Sequence, residues 1–419
     1  NAEYMGSHSK IMERCSSLFS PATTHRVLSG SKSLTYRYLS LTFYGEILYP
    51  SYLSSIAPLK CSIKSDAYTP TNDNYLTSTS VDATRGNNLG LVFDLGQTGS
   101  WDCEEVGSPI VKRFISDEEE RWYMWYHGNS KEGKRTTDSI GLAVSKNGVH
   151  WERGKGNVGA SDDVGLVMQC SSDWWAFDRQ SVRPSDIVVM SSSQVRTSSA
   201  VYWLFYTGSF TDGVNKSLPG LAMSQDGRYW ARIEGEHHTG ALFEAGNAWD
   251  SLFIANPNVV VHDIRDLRLY YDTVEAATGE HCIGVATSRD GMKWMKEGKI
   301  LGPGKGGCFD EGGVRHCSVS KVRNMYVMAY EGIDWKGRRS IGVAESGDGL
   351  RNWRKVKEEA VLEPSQGWDS GGVGSPCLLE IGDHWRLYYT GVGHNGRPAI
   401  GLAVSHHFPS FERCSTFYL

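Results

Sequence analysis

The run WDSLFIANPNVVVHDIRDLRLYYDTVEAATGEHCIGVATSRDGMKW, Trp249–Trp294, decides the fold, because it holds in order every element that recurs along the chain. A Trp-Asp pair opens it, and an apolar stretch around Pro257 follows. Next come an aromatic segment, LRLYYDT (Leu267–Thr273), and a small-apolar one, IGVATS (Ile283–Ser288). An Asp-Gly turn then leads to Trp294. Short apolar and aromatic runs bounded by turn residues read as strands. The Asp-Gly pair supplies the positive φ angles that a tight hairpin requires.

Working outward, the opening pair returns as Trp101-Asp102, Phe177-Asp178, Phe309-Asp310 and Trp368-Asp369. Six or seven residues after each Asp stands Pro109, Pro184, Pro257, Cys317 or Pro376. The aromatic strand returns as WYMWYHG (Trp122–Gly128), VYWLFYTG (Val201–Gly208), MYVMAYEG (Met325–Gly332) and WRLYYTG (Trp385–Gly391). The small-apolar strand returns as IGLAVS, PGLAMS, IGVAES and again IGLAVS. Asn-Gly or Asp-Gly turns end at Trp151, Trp230, Trp294 and Trp353, and in the last copy Phe411 stands near the Trp position. Each copy therefore reads as three clear strands and a shorter fourth. Five copies of a four-stranded unit predict an all-β, five-bladed β-propeller. The spacing is longer than the ~40–45 residues of a WD40 blade, so the Trp-Asp pairs are not that signature. An aspartate repeated in every copy is expected to be structural. The lead-in to the first pair, LGLVFDLGQTGSWD, has no blade before it, so Leu89–Gly96 is expected to join the last blade, beside the C-terminal strand near Phe411–Cys414, and close the ring. Closure removes the free sheet edges.

Composition narrows the function. The chain has 419 residues, 40% hydrophobic and 22% charged, with net charge -5. That balance argues against a nucleic-acid partner held by a basic field. No apolar run of ~18 residues is present, so no membrane span is expected. Nine scattered cysteines without a C-x-x-C pair predict reduced, mostly buried thiols and no zinc site. Residues 1–65 differ: they carry seven of the 43 Lys/Arg, three of the 48 acids and two Ser-Ser pairs, Ser16-Ser17 and Ser54-Ser55. Basic, Ser-rich and acid-poor sequence is how an organelle transit peptide reads. Residues 1–75 are expected to be a disordered leader directing the protein to the chloroplast, the alternative being a cytoplasmic extension, and residues 76–419 the propeller.

The fivefold repeat, the S-x-D-G-x-x-W turns and the inner-strand prolines resemble the five-bladed β-propeller glycoside hydrolase superfamily, which includes arabinanase, levansucrase and invertase relatives, here as a plant plastid-type member. The resemblance covers residues ~85–419. It implies a sugar in an axial funnel and two Asp and one Glu on inner strands. The five residues before the inner-strand Pro or its equivalent are Ser108, Arg183, Asn256, His316 and Ser375, and none is a carboxylate. Either the acids have moved or hydrolysis has been lost. The carboxylates left near the axis are Glu105, Glu311, Asp272 and Glu331. The last two stand at equivalent positions on adjacent blades, where a shared pocket would raise the pKa of one and make it a general acid. Capping or inter-blade roles are the competing reading. His127, Arg183, Asn256, Arg315 and His316 are the candidate ligand contacts, suited to a sugar or sugar phosphate. The alternative for the whole chain is a catalytically silent propeller that binds sugar or serves as a protein scaffold. No cofactor and no metal set are expected. Trp174, Trp175, Trp203 and Trp335 are expected to pack between blades rather than to carry sugar.

Overall fold

The computed structural model describes residues 88–115, 120–130, 137–154, 164–190, 201–210, 217–246 and 249–414. The leader expected over residues 1–75 lies outside them. The described residues are all β, without a helix.

A short strand, β1 (Leu91–Phe93), comes first. The first antiparallel meander is β2 (Glu105–Ile115), β3 (Glu120–Asn129), β4 (Ser139–Ser145) and β5 (Trp151–Arg153), with β6 (Gly165–Met168) also on β4. The second is β7 (Ser181–Met190), β8 (Val201–Ser209), β9 (Ser217–Ser224) and β10 (Ala231–Ile233). The third is β11 (Ala255–Asp263), β12 (Asp266–Val274), β13 (His281–Ser288) and β14 (Met295–Leu301). The fourth is β15 (Gly313–Val322), β16 (Met325–Ile333), β17 (Arg339–Ser346) and β18 (Arg354–Lys355). The last is β19 (Gly372–Ile381), β20 (His384–Val392), β21 (Pro398–His407) and β22 (Ser410–Arg413). These are the sequence copies, strand for strand.

The aromatic strands are buried on both faces, which is why they read as continuous apolar runs. On β3, Trp122, Met124 and Tyr126 pack with Tyr388 and Ile400 of the last meander. Tyr123 and Trp125 face the other way, onto Ile187, Tyr202 and Leu204 of the second. The same sharing joins the second meander to the third through Phe205 and Tyr271, the third to the fourth through Tyr270 and Met328, and the fourth to the last through Ala329 and Leu387.

The tight turns follow from their sequence. In SRDG the Ser288 hydroxyl accepts from Gly291 N–H at 2.8 Å, and Asp290 Oδ1 accepts from Met292 and Lys293 N–H. Gly291 takes φ +75°, and an added Cβ there would lie 2.4 Å from the Trp203 ring of the neighbouring meander.

The Trp-Asp aspartates do more than shape an entry turn. Each is buried and bound to the Tyr of its own aromatic strand and to a cation on its fourth strand. Asp310 accepts from Tyr330 Oη at 2.9 Å and pairs with Lys355 Nζ at 2.7 Å. The other copies are Asp102 with Tyr126 and Arg153, Asp178 with Tyr206 and Arg232, Asp250 with Tyr271 and Lys296, and Asp369 with Tyr389 and Arg413. The preceding ring stacks on that Tyr, as Phe309 does on Tyr330. It fits only because Gly332 and Gly342 leave the slot open, since a Cβ on either would fall within 2.5 Å of it. Replacing Asp310 with Asn keeps a partner for Tyr330 and leaves Lys355 without its counter-charge. A loss of about 1.5–3 kcal/mol is expected for such a charge-assisted contact, read as a drop in melting temperature. An unchanged melting curve would remove the lock from the argument.

The first described strand meets the last meander as expected, with one adjustment. β1 pairs with the third strand of the last meander, Leu91 opposite Gly401, rather than with the terminal strand. It lies beyond the end of β22 on the same edge of β21, since Gly90 N–H donates to Cys414 O and Cys414 N–H to Leu402 O.

Candidate functional site

The first strand of each meander begins, and the second ends, at one common end of the unit. Hydrogen bonds stitch these strands to those of the next meander. Val259 N–H donates to Asp186, Val319 N–H to Asn258, Leu378 N–H to Ser318 and Val111 N–H to Cys377 Sγ. Lys112 Nζ meets Asp186 Oδ1 at 3.1 Å and joins the first meander to the second. A second row runs closer to the strand ends: Asn256 N–H donates to Thr207, Ser375 N–H to Glu331 and Ser108 N–H to Thr390. Ser108, Asn256, His316 and Ser375 hold φ between +45° and +51°. Backbone in that region is strained for residues other than Gly. It recurs at four of the five positions before the inner-strand Pro or its equivalent, where the register also shifts.

Two charged clusters occupy this end. In the first, Glu105 Oε1 lies 3.1 Å from His127 Nε2 and 3.2 Å from Arg183 Nη2, while Arg183 Nε donates to Asp138 at 2.6 Å. Asn129 Nδ2 donates to the other oxygen of Asp138. The His127 hydrogen bond, assisted by Arg183, lowers the Glu105 pKa to about 2. Burial pushes His127 below its ordinary value. The imidazole is then neutral, and its Nδ1 is buried without a partner.

In the second cluster Glu331 has no exposed surface. Its Oε1 accepts from Arg315 Nε at 2.8 Å and Nη2 at 2.7 Å, and its Oε2 accepts from Ser375 N–H at 3.0 Å, with His316 Nδ1 at 3.3 Å. Burial pushes its pKa up, but Arg315 first and then His316 overcome this and hold it well below the usual carboxylate range. The expected raised pKa is therefore reversed at Glu331, because a guanidinium, not a second carboxylate, is its nearest charge. Gly374 makes room for it, since a Cβ there would come within 1.9 Å of Oε2. Asp272 is buried beside this cluster and accepts from Asn256 Nδ2 at 2.8 Å. His281 stands nearby with its pKa lowered by burial and by Arg315.

Eight of the nine candidates fall in these two clusters: Glu105, His127 and Arg183 in one, and Asn256, Asp272, Glu331, Arg315 and His316 in the other. Glu311 is not brought to them. Its carboxylate accepts from Gly307 N–H at 2.5 Å within its own turn. Asp138, Asn129, Asp186 and Lys112 were not singled out from sequence, because none stands in a repeated motif. Among the described residues no group of three or more His, Cys, Asp or Glu side chains converges as metal ligands would, and all seven described cysteines are free thiols.

The expectation for the tryptophans divides. Trp203 is 8% exposed and packs between meanders, but Trp174 and Trp335 are 76% and 74% exposed. Neither has a neighbouring slot.

No family model matches this sequence. Two uncharacterized proteins of Mycobacterium tuberculosis, MT1551 and Rv1502, are 33% and 32% identical over 125 residues. That segment is 30% of this chain and 40% of each relative, so the chain spans less than half the length of the curated proteins it matches. Among solved structures, one described as showing that the GH130 family of mannoside phosphorylases contains glycoside hydrolases targeting β-1,2 mannosidic linkages in Candida mannan superposes with TM-score 0.56. It is 17% identical, over 78% of this chain and 94% of that one. A glycosyl hydrolase from Bacteroides ovatus gives TM-score 0.56 at 17% identity, over 78% and 95%. An N-acetylgalactosamine deacetylase from F. plautii, in complex with blood group B trisaccharide, gives 0.52 at 15%, over 76% and 94%. At such identities the likeness is one of fold: this chain is built like the propeller-type glycoside hydrolases.

Proposed function

We propose that the meanders close as a five-bladed propeller and that the end bearing the two charged clusters binds a carbohydrate. Closure is supported by the stitching, since every meander is joined to the next and the last to the first at equivalent inner-strand positions. The observation that carries the binding reading is the first cluster. Glu105 and Arg183 remain about a third exposed while Asp138 and His127 fix their positions. An ionised carboxylate beside a guanidinium offers an acceptor and a planar set of donors, which matches the vicinal hydroxyls of a sugar or the oxygens of a sugar phosphate. The sugar-active proteins of this fold support carbohydrate as the ligand class.

The same geometry speaks against hydrolysis by Asp272 and Glu331. Two-carboxylate hydrolysis needs one acid protonated near neutral pH. Glu331 is ionised, sealed and bonded to the backbone of the next meander, which makes it part of the frame. We therefore read the chain as a sugar-binding propeller in which this pair holds the site open rather than cleaving its ligand.

Calorimetric titration with neutral oligosaccharides and sugar phosphates tests this. Glu105→Gln, which keeps shape and loses charge, is expected to weaken binding about ten-fold or more, as for a lost charge-assisted hydrogen bond, measured well below the melting point of the variant, which also loses the ion pair with Arg183. If the wild type releases reducing sugar from any of these and Glu331→Gln stops it at unchanged stability, the pair is catalytic and this reading is wrong.

A further inference from the structure

Trp174 and Trp335 are the two most exposed large apolar side chains of the described residues. They come from different meanders but are presented in the same way. In each, an aspartate opens a four-residue turn closed by a backbone hydrogen bond from the fourth residue, and the tryptophan is the second. Ala176 N–H donates to Asp173 O at 3.2 Å, and Gly337 N–H donates to Asp334 O at 2.9 Å. Both turns are braced. Asp173 N–H donates to Ser171 Oγ, and the chain after Trp174 is tied down through Phe177 N–H to Thr239 O. Asp334 Oδ1 accepts from Lys336 and Arg338 N–H at 2.8 Å each. Lys336 Nζ lies 4.7 Å from the Trp335 ring centroid and covers part of one face.

Both turns stand at the end of the molecule that carries the charged clusters. Trp174 lies in the connection entering β7, nine residues before Arg183, and Trp335 lies in the hairpin leaving β16, four residues after Glu331. An indole left in water at the tip of a braced turn contributes nothing to the core, and its flat apolar face with a polar N–H edge is free to contact a ligand.

We infer that Trp174 and Trp335 are stacking platforms for an extended oligosaccharide whose central units contact the charged clusters. This rests on the carbohydrate reading above and narrows the ligand class from a single sugar or sugar phosphate to a chain of several units. The apolar face of a pyranose or furanose ring packs against an indole, and a turn already fixed before binding loses little freedom when it does. The Asp-Trp dipeptide, present at both places, is the sequence feature responsible.

The test uses the full chain and its Trp174→Ala, Trp335→Ala and double variants. Titrations use linear α-1,5-arabino-oligosaccharides and β-1,2-manno-oligosaccharides of two and of six units. Melting temperatures should stay at the wild-type value, because neither ring is packed. Each single substitution is expected to lower affinity for a six-unit probe by about ten-fold, the effect of removing one contact hot spot, while affinity for the two-unit probe is unchanged. Equal affinities of wild type and double variant for the six-unit probe overturn the platforms and leave the sugar site standing. A wild type that binds no probe of either length overturns the sugar site itself. Should the substitutions instead abolish self-association seen by light scattering and spare sugar binding, the rings are protein contacts and the inference is wrong.

Discussion

Deleting Leu89–Gly96 is expected to abolish cooperative folding. The segment carries few residues, but they are placed where the first strand is joined to the last meander. Phe93 is buried against Tyr126 with ring centroids 4.8 Å apart, and the Arg153 guanidinium lies 3.9 Å from the Phe93 ring centroid. Removing a buried Phe costs about 3–5 kcal/mol. The backbone bonds of Gly90 to Cys414 and Leu402 go as well, and so does the Leu89 carbonyl that accepts from Trp368 Nε1. The β21 edge would be left open beside an unfinished core. Against a typical total stability of about 5–15 kcal/mol, these losses approach the whole. Thermal melting checks this, with Phe93→Ala as the milder companion. A cooperative transition within a few degrees of wild type would show that the ring does not depend on its closing strand.

The second large effect is expected at Glu331. Glu331→Ala removes a fully buried carboxylate and leaves the Arg315 guanidinium, about a quarter exposed, without its counter-charge and the half-buried Ser375 amide without its acceptor. Breaking a buried ion pair from one side costs about 3–5 kcal/mol. The loss should appear in melting, whatever happens to ligand binding. The pH dependence has a definite sign. Glu331 and Glu105 both have folded pKa values below the ordinary 4.5. Their contributions are therefore complete above about pH 4.5 and are lost as pH falls below it, toward about 2 in the case of Glu105. The stability gap between wild type and Glu331→Gln should narrow on acidification from pH 6 to pH 3. A gap that widens would mean that Glu331 is protonated in the fold, as a general acid would be.

Much of this architecture is readable in the sequence because repetition makes it so. A dipeptide such as Trp-Asp carries little information once, but recurring before each apolar strand it fixes the strand order of Trp101–Trp151 and of every later copy. The cation of the buried lock was equally available, since Arg153, Arg232, Lys296, Lys355 and Arg413 all stand two residues after the turn aromatic. A single copy does not reveal it, because surface-like Lys and Arg near a turn are ordinary. The site is harder to read for the opposite reason. Arg183, Asp138, Glu105 and His127 occur once each, and a unique residue gives no pattern. That Asp272 and Glu331 share a strand position was legible; their charge states were not. Those depend on Arg315, Asn256 and Ser375, which reach them across strands or from the next meander. Exposure of Trp174 and burial of Trp203 likewise depend on what the neighbouring meander offers, such as Gly291 beneath the second ring.

The junction of Leu91 with Gly401 also sets the order of events during synthesis. The first strand, β1, is made about three hundred residues before the strand it pairs with. Bringing such distant segments together costs on the order of 5 kcal/mol of chain entropy. That is little for a finished chain whose intervening meanders have already folded and brought the ends near each other. For a growing chain no partner exists at all. Pairing of β1 is accordingly a late step, and until then its Leu-Val-Phe edge stays available to other chains.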